Sequence, residues 1–289
     1  MRLAVIGTGM MGGRMARRLL DAGHELSVYN RTAARTESLA AAGAAVAATP
    51  REAAAGAAAV LTVLADRAAV RAVAYGDDGL LAGTEAGALW LDHSTVAPED
   101  SREFAAAARE DRVRMVDAPM SGSLAAAEKG MLVFLVGGPA EDVAEARPIL
   151  DALGRASVHL GSHGAGTAGK LAVNAFLLTA MAAAVEAVRL GRVGGVEPGT
   201  LLAGLGPTEV VPQWALGKLR KLEASDARPA FTLALAAKDL GLMERTAAGA
   251  ELELPLLDAA RELYAAALDA GRGDLDFSAV EGAGPQAGV

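Results

Sequence analysis

The sequence predicts an α/β chain in two parts: a parallel sheet covered by helices, then an all-helical half. Three observations carry this. Short apolar runs alternate with helix-length segments up to about residue 161, and helical periodicity alone takes over after Ala168. The chain is 289 residues long, room for two domains at roughly 150 residues each. The division is placed near residue 162, giving parts 1–162 and 163–289.

In order, the expected strands are 3–7, 26–30, 60–64, 89–92, 115–118, 133–136 and 158–161. They are short, largely apolar runs, and most are separated by alanine- and arginine-bearing segments long enough for a crossover helix, the pattern of a parallel sheet covered on both faces. Past Ala168, Gly194–Gly195, Pro198, Gly204, Pro207, Pro229 and Pro255 cut the helical region into pieces. The last residues, from Gly282 on, are expected to fray.

Composition narrows the function classes. Hydrophobic residues make 52% and charged residues 21%, enough apolar material for a large core and incompatible with a disordered chain. The most apolar stretch, 171–185, contains Asn174 and stops before Glu186, which reads as too short and too interrupted to span a bilayer. The chain opens directly on a structured segment, leaving no room for a signal peptide, so a cytoplasmic location and no membrane partner are expected. The net charge is −8 without a basic run, and aromatic residues make only 3%, so nucleic acid is not an expected partner. No cysteine is present, which excludes disulfides and thiolate chemistry. The four histidines (His24, His93, His159, His163) lack metal-ligand spacing, and no metal is expected.

The run LAVIGTGMMGGRMARRLL sets Gly7, Gly9 and Gly12 between the first strand and the first helix, with Met10 and Met11 opening that helix. Glycine suits each place: Gly7 permits the tight turn, Gly9 admits a pyrophosphate to the backbone, and Gly12 allows close helix–strand packing. The helix N-terminus offers unpaired amides to phosphates. In this position the motif points to a Rossmann-type dinucleotide-binding domain, the alternative being a glycine turn without ligand. At the end of the second strand come Asn30, Arg31 and Thr32, with no carboxylate before Glu37. An acid there would hold a ribose 2′-hydroxyl and repel a 2′-phosphate. Arg31 can pair with such a phosphate, and Asn30 and Thr32 can donate hydrogen bonds to it. NADP(H) is therefore expected in preference to NAD(H), against the alternative of a solvated surface arginine at position 31.

Only five of the basic residues are lysines. Lys170 is followed four residues later by Asn174, which puts both on one helix face, in a stretch with no other charge up to Val185. Two readings are open. A lysine bordering a cleft in a buried helix serves as a general acid/base, whereas one at an exposed first turn snorkels to water. Two more stretches point to a site. LDHST ends a strand at Ser94 and Thr95, and ligands sit at the carboxyl ends of strands in open α/β sheets. DAPMSGS offers Ser121, Gly122 and Ser123, a turn that presents hydroxyls and N–H groups to a carboxylate, or an ordinary strand-end turn.

Taken in order, GTGMMG, DAPMSGS, GSHGAGTAGKLAVN and KDLGLM resemble the β-hydroxyacid dehydrogenases, the family of 3-hydroxyisobutyrate dehydrogenase, tartronate semialdehyde reductase and glyoxylate/succinic semialdehyde reductase. The resemblance runs from Met1 to about Val280. It implies that Lys170 is the catalytic lysine and Asn174 its helical partner, with Ser121 and Gly122 in the substrate-carboxylate turn. It further implies coenzyme contacts at Leu64, Thr95 and Lys238, and a substrate pocket lined by Phe231 and Asp239. Asn30, Arg31 and Thr32 resemble the 2′-phosphate clamp of NADP-using members. Ser123 in place of a second glycine, and the tail GDLDFSAV, are similar to the glyoxylate/succinic semialdehyde branch. Met120 stands where valine is usual and Ala65 where many members have proline, while residues 208–214 match no branch. If that segment lines the pocket, Trp214 and its two valines imply a more apolar substrate than glyoxylate.

The resemblance implies hydride transfer between NADPH and a small carboxylated aldehyde or keto acid. Ser121, Gly122 and Ser123 would hold the carboxylate, and Lys170 would protonate the carbonyl oxygen. Imine reductases share the architecture but usually lack this lysine, and the 6-phosphogluconate enzymes are longer and call for extra basic pocket residues. A non-catalytic NADP-binding module would have no use for Lys170, Asn174 and the serine turn together. In this family the long helix packs on another subunit, so a homodimer or homotetramer is expected.

Overall fold

The structure is a computed structural model and describes residues 1–226 and 228–280; the tail from Gly282 lies outside the described residues. Contacts divide the chain into two compact units, Met1–Leu171 and the residues from Ala172 on. The division falls inside a helix that starts at Ala165 and runs unbroken to Val193, with its first turns bonded into the first unit.

The first unit is built on a nine-stranded sheet. Its strands are β1 (Arg2–Ile6), β2 (Glu25–Tyr29), β3 (Ala45–Val46), β4 (Ala59–Thr62), β5 (Leu89–Asp92), β6 (Arg114–Asp117), β7 (Met120–Ser121), β8 (Leu132–Gly137) and β9 (Gly154–Gly161). The order is β3-β2-β1-β4-β5-β6-β8-β7, with β9 also paired to β8. The seven expected strands all form. The two unforeseen ones, β3 and β7, are two residues long, too short to leave a periodic trace. The sheet is not wholly parallel, a correction to the expectation: β8 runs antiparallel to β6 and β7. Residues 118–131 hold only β7 and the five-residue helix Leu124–Glu128, not the longer crossover a parallel pairing of β6 with β8 would use.

Alternating side chains divide between two cores. Leu3, Val5, Leu61, Leu91 and Phe134 face helices α1 (Met10–Asp21) and the later helix Ala140–Leu153, while Ala4, Ile6, Val60 and Trp90 pack with Phe104 and Val70 on the other side. β1 pairs with β2 on one flank and β4 on the other. The chain therefore reverses its winding there, and the carboxyl ends of β1 and β4 open a crevice.

The second unit continues the long helix Ala165–Val193 and adds helices Pro198–Leu205, Gln213–Glu223, Leu233–Ala248 and Pro255–Asp269. Pro198 and Pro255 open their helices at the first position, where a missing N–H costs nothing. Residues 171–185 are part of the 29-residue long helix, which by length and composition alone is apolar enough to cross a membrane. Leu178, Met181, Val185 and Val188 bury one flank of it within the unit. Asp276 gathers the unit's last segment: Lys218 Nζ pairs with its Oδ2 at 2.6 Å, and the Ala230 N–H donates to the same oxygen at 3.1 Å. Burial opposes the charge of Asp276, yet these partners and Ser278 hold its carboxyl below the usual carboxylate range. Phe277 follows and packs at a tilt against Phe231, ring centres 5.5 Å apart.

Candidate active site

In the glycine loop, the backbone itself fills the space a side chain would need. Gly7 adopts φ +98°, and a Cβ there would lie 2.4 Å from the Val63 carbonyl oxygen. On Gly12 it would lie 1.9 Å from the Gly7 carbonyl oxygen, so only glycine lets α1 start this close to β1. Gly9 is less confined: a Cβ there would meet only the Arg35 guanidinium, at 3.6 Å. α1 has no side-chain cap and no acid in its first turn. The first amides, on Met10, Met11 and Gly12, thus stand at a positive helix end with no built-in anion. This cradle fits a dinucleotide pyrophosphate.

The loop after β2 is tied to this turn. Thr8 N–H donates to Asn30 Oδ1 at 3.1 Å, and Asn30 Nδ2 donates to the Thr32 carbonyl at 2.9 Å. Asn30 is thus an internal brace, while Arg31 and Thr32 are exposed. Arg35 is a residue the sequence reading missed. Its carbonyl accepts from Thr8 Oγ1 at 3.2 Å, and its guanidinium lies 3.6 Å from the Gly9 Cβ position. With Thr8, Gly9, Gly13, Arg14, Arg17 and Arg18 it lines a cavity of about 570 Å³. The signal available in sequence was its place four residues after Arg31 with no acid between.

At the carboxyl ends of β4 and β5 a buried polar network joins the next two site segments. Trp90 Nε1 donates to Thr62 Oγ1, and Thr62 Oγ1 donates to Asp92 Oδ1, both at 2.8 Å. Asp92 Oδ1 also accepts from the Ser94 N–H at 3.1 Å, and Ser94 Oγ accepts from the Leu64 N–H at 3.1 Å. Leu64 and Thr95 flank this network, both half-buried. Burial pushes the Asp92 carboxyl up to about 6, against the hydrogen bonds from Ser94 and Thr62. His93 is equally buried; its Nδ1 lies 2.7 Å from the Ala118 carbonyl, and burial pushes its imidazole down to about 4.

Ser121 ends β7, held opposite Val133 of β8. Gly122 follows at φ +145°, a conformation closed to other residues, with Leu132 Cδ2 2.9 Å from its Cβ position. Ser123 has a local role: its Oγ accepts the Ala126 N–H and caps the short helix Leu124–Glu128. Lys170 is half-buried near the start of the long helix, inside the first unit. Asp117, at the end of β6, holds that start. It accepts from the Gly164 N–H at 2.8 Å and the Thr167 N–H at 3.0 Å. Burial raises the Asp117 carboxyl against those bonds.

In the second unit Asn174, 1% exposed, donates through Nδ2 to Asp239 Oδ2 at 2.6 Å. Asp239 Oδ1 lies 2.9 Å from Lys238 Nζ. The structure thus joins Asn174, Lys238 and Asp239, which sequence listed separately. Phe231 is half-buried beside Phe277. No cluster of metal-ligating side chains occurs among the described residues.

A family model described as the NAD binding domain of 6-phosphogluconate dehydrogenase matches residues 2–161. A second, described as NAD-binding of NADP-dependent 3-hydroxyisobutyrate dehydrogenase, matches residues 164–282. The NAD-dependent L-serine dehydrogenase of Pseudomonas aeruginosa is 38% identical, covering 97% of this chain and 96% of its own. The 3-hydroxyisobutyrate dehydrogenase of the same organism is 37% identical, over 96% and 97% of the two chains. A solved structure of Mycobacterium tuberculosis 3-hydroxyisobutyrate dehydrogenase with L-serine superposes with a TM-score of 0.86 at 32% identity, over 96% and 97% of the two chains. With a Rossmann-type sheet followed by a helical second unit, the chain belongs to the β-hydroxyacid dehydrogenase family, the NAD(P)-dependent relatives of 3-hydroxyisobutyrate dehydrogenase.

Proposed function

We propose that the protein interconverts a small carboxylated aldehyde or keto acid and the corresponding hydroxy acid, with NADP(H) preferred over NAD(H). The carrying observation is the buried Asn174–Asp239 hydrogen bond on a helix that presents Lys170 one turn earlier. A polar pair so deep in an apolar helix is costly unless it orients something, and Lys170 shares its face. The preference for NADP(H) is supported by exposed Arg31 and Arg35 and by the absence of an acid between β2 and Glu37. The P. aeruginosa relative named as NAD-dependent makes this a property to be measured for this chain, not inherited.

When bound, the nicotinamide supplies or accepts the hydride. Gly7, Gly9, Gly12 and the amides of Met10 and Met11 would hold the pyrophosphate, Arg31 and Thr32 the 2′-phosphate, and Leu64 and Thr95 the nicotinamide end. Ser121 and the Gly122 amide hold the substrate carboxylate; Ser123 supports that turn as a helix cap. Lys170 Nζ hydrogen-bonds the carbonyl oxygen and gives it a proton; in the reverse direction it takes that proton from the hydroxyl. Asn174, fixed by Asp239, orients Lys170 on the same helix. The second unit also carries substrate specificity and self-association. Val173, Phe176, Leu190 and Val193 are exposed on the long helix, Val193 at 87%, apolar side chains that suit burial in a homodimer or homotetramer.

The test is NADPH oxidation against succinic semialdehyde, glyoxylate, methylmalonate semialdehyde, tartronate semialdehyde and a cyclic imine, with NADH in parallel. Turnover of a carboxylated aldehyde with NADPH favoured is expected. Turnover of the imine alone would overturn the substrate assignment and leave the fold untouched.

A further inference from the structure

Asp92 and Asp117 are register partners at the carboxyl ends of β5 and β6, so their side chains lie side by side on one face of the sheet. Both are fully buried. Two neighbouring buried carboxylates are costly, and the strands would pair without them. Each one grips a different segment. Asp92 takes the Thr62 hydroxyl and the Ser94 N–H, and Ser94 in turn takes the Leu64 N–H, which fixes the loops after β4 and β5 against each other. Asp117 takes the Gly164 and Thr167 amides, capping the start of the long helix from a strand end. The surroundings are shaped to that carboxylate. A Cβ on Gly137 would lie 2.7 Å from Asp117 Oδ1, and one on Gly166 would lie 2.8 Å from its Oδ2.

We infer that the two carboxylates are positioning residues with divided tasks: Asp92 sets the loops bearing Leu64 and Thr95 for the coenzyme, and Asp117 sets the helix start that aims Lys170. Neither touches the reacting atoms. The inference rests on the roles proposed above for Lys170, Leu64 and Thr95, and its test separates the two layers.

The variants are Asp92→Asn and Asp117→Asn in the full chain. The asparagine at 117 keeps one acceptor and turns an amide N–H toward the other donor, so the helix start shifts without loss of the fold. Asp117→Asn is expected to lower kcat about 10- to 100-fold, the scale of a misplacement near 1 Å, with the NADPH Kd within twofold of wild type. Asp92→Asn is expected to raise the NADPH Kd and KM about tenfold, the scale of one hydrogen bond to a charged group, with a smaller change in kcat at saturation. Should Asp117→Asn fail to fold, Asp117→Ser, which keeps one oxygen acceptor for the Gly164 and Thr167 amides, must give the same split. If no substrate on the panel turns over, the carbonyl reading fails on its own. The Kd of Asp92→Asn and the hydrogen-exchange rates of amides 164–170 in Asp117→Asn then still decide the positioning claim. Equal shifts of kcat and Kd in both variants, or faster exchange in neither, would overturn it.

Discussion

Acid stability offers a sharp test, because two adjacent buried groups, His93 and Asp92, push in opposite directions. The contact of His93 Nδ1 with the Ala118 carbonyl places the ring proton on Nδ1 and leaves Nε2 without a partner among the described residues. Its pKa falls from 6.5 to about 4 in the fold. The unfolded chain therefore takes the proton first, and stability present above pH 6.5 is lost as the pH falls toward 4. Between pH 7.5 and 4.5 this loss is about 2.5 kcal/mol. Asp92 is raised from 3.8 to about 6. The folded chain holds that proton more tightly, so its contribution is full below pH 3.8 and is lost as the pH rises through 6. Over the same acidification Asp92 returns about 2 kcal/mol, which nearly cancels the histidine. His93→Gln, which keeps an amide donor for Ala118, is expected to reduce the acid penalty of the first unit by about 2.5 kcal/mol relative to wild type. Asp92→Asn is expected to increase it by about 2 kcal/mol. The assay is urea unfolding at both pH values by Trp90 fluorescence, with Trp214→Phe to silence the other tryptophan. Both variants tracking the wild-type pH dependence within about 0.5 kcal/mol would refute the burial argument.

Two further outcomes follow from the same geometry. Arg31→Ala is expected to cut the kcat/KM preference for NADPH over NADH by tenfold or more, since a charge-assisted bond contributes about 1.5–3 kcal/mol; an unchanged ratio would remove Arg31 from coenzyme recognition. Leu190→Glu with Val193→Glu is expected to yield a monomer by light scattering from a wild type that is not one; a monomeric wild type would leave those exposed side chains without a role.

Much of the first unit was legible because most of its strands are short, largely apolar runs set apart by helix-length segments, and because Gly7, Gly9 and Gly12 have only one good use between a strand and a helix. The punctuation at Pro198 and Pro255 marked helix starts for the same local reason. What escaped was long-range. β3 and β7 exist only as partners of β2 and β8, and the reversal of β8 depends on a connection whose length alone gives the hint. Asp117 stood inside the DAPMSGS run but read as a strand end, because its partners Gly164 and Thr167 lie far along the chain. Asn174 and Asp239 were both singled out, yet their 2.6 Å bond joins positions 65 residues apart and no spacing rule reaches that far. The long helix begins earlier than Ala168 for a related reason: a side chain from the sheet, Asp117, grips its first turn.

The most direct test of the account is Lys170→Ala, measured for NADPH Kd and for turnover of the best carboxylated aldehyde. The account predicts an unchanged Kd with kcat lowered about 10²- to 10⁴-fold, the range of a lost general acid. An intact Kd with near-normal turnover would contradict it, and the proton would have to come from another group.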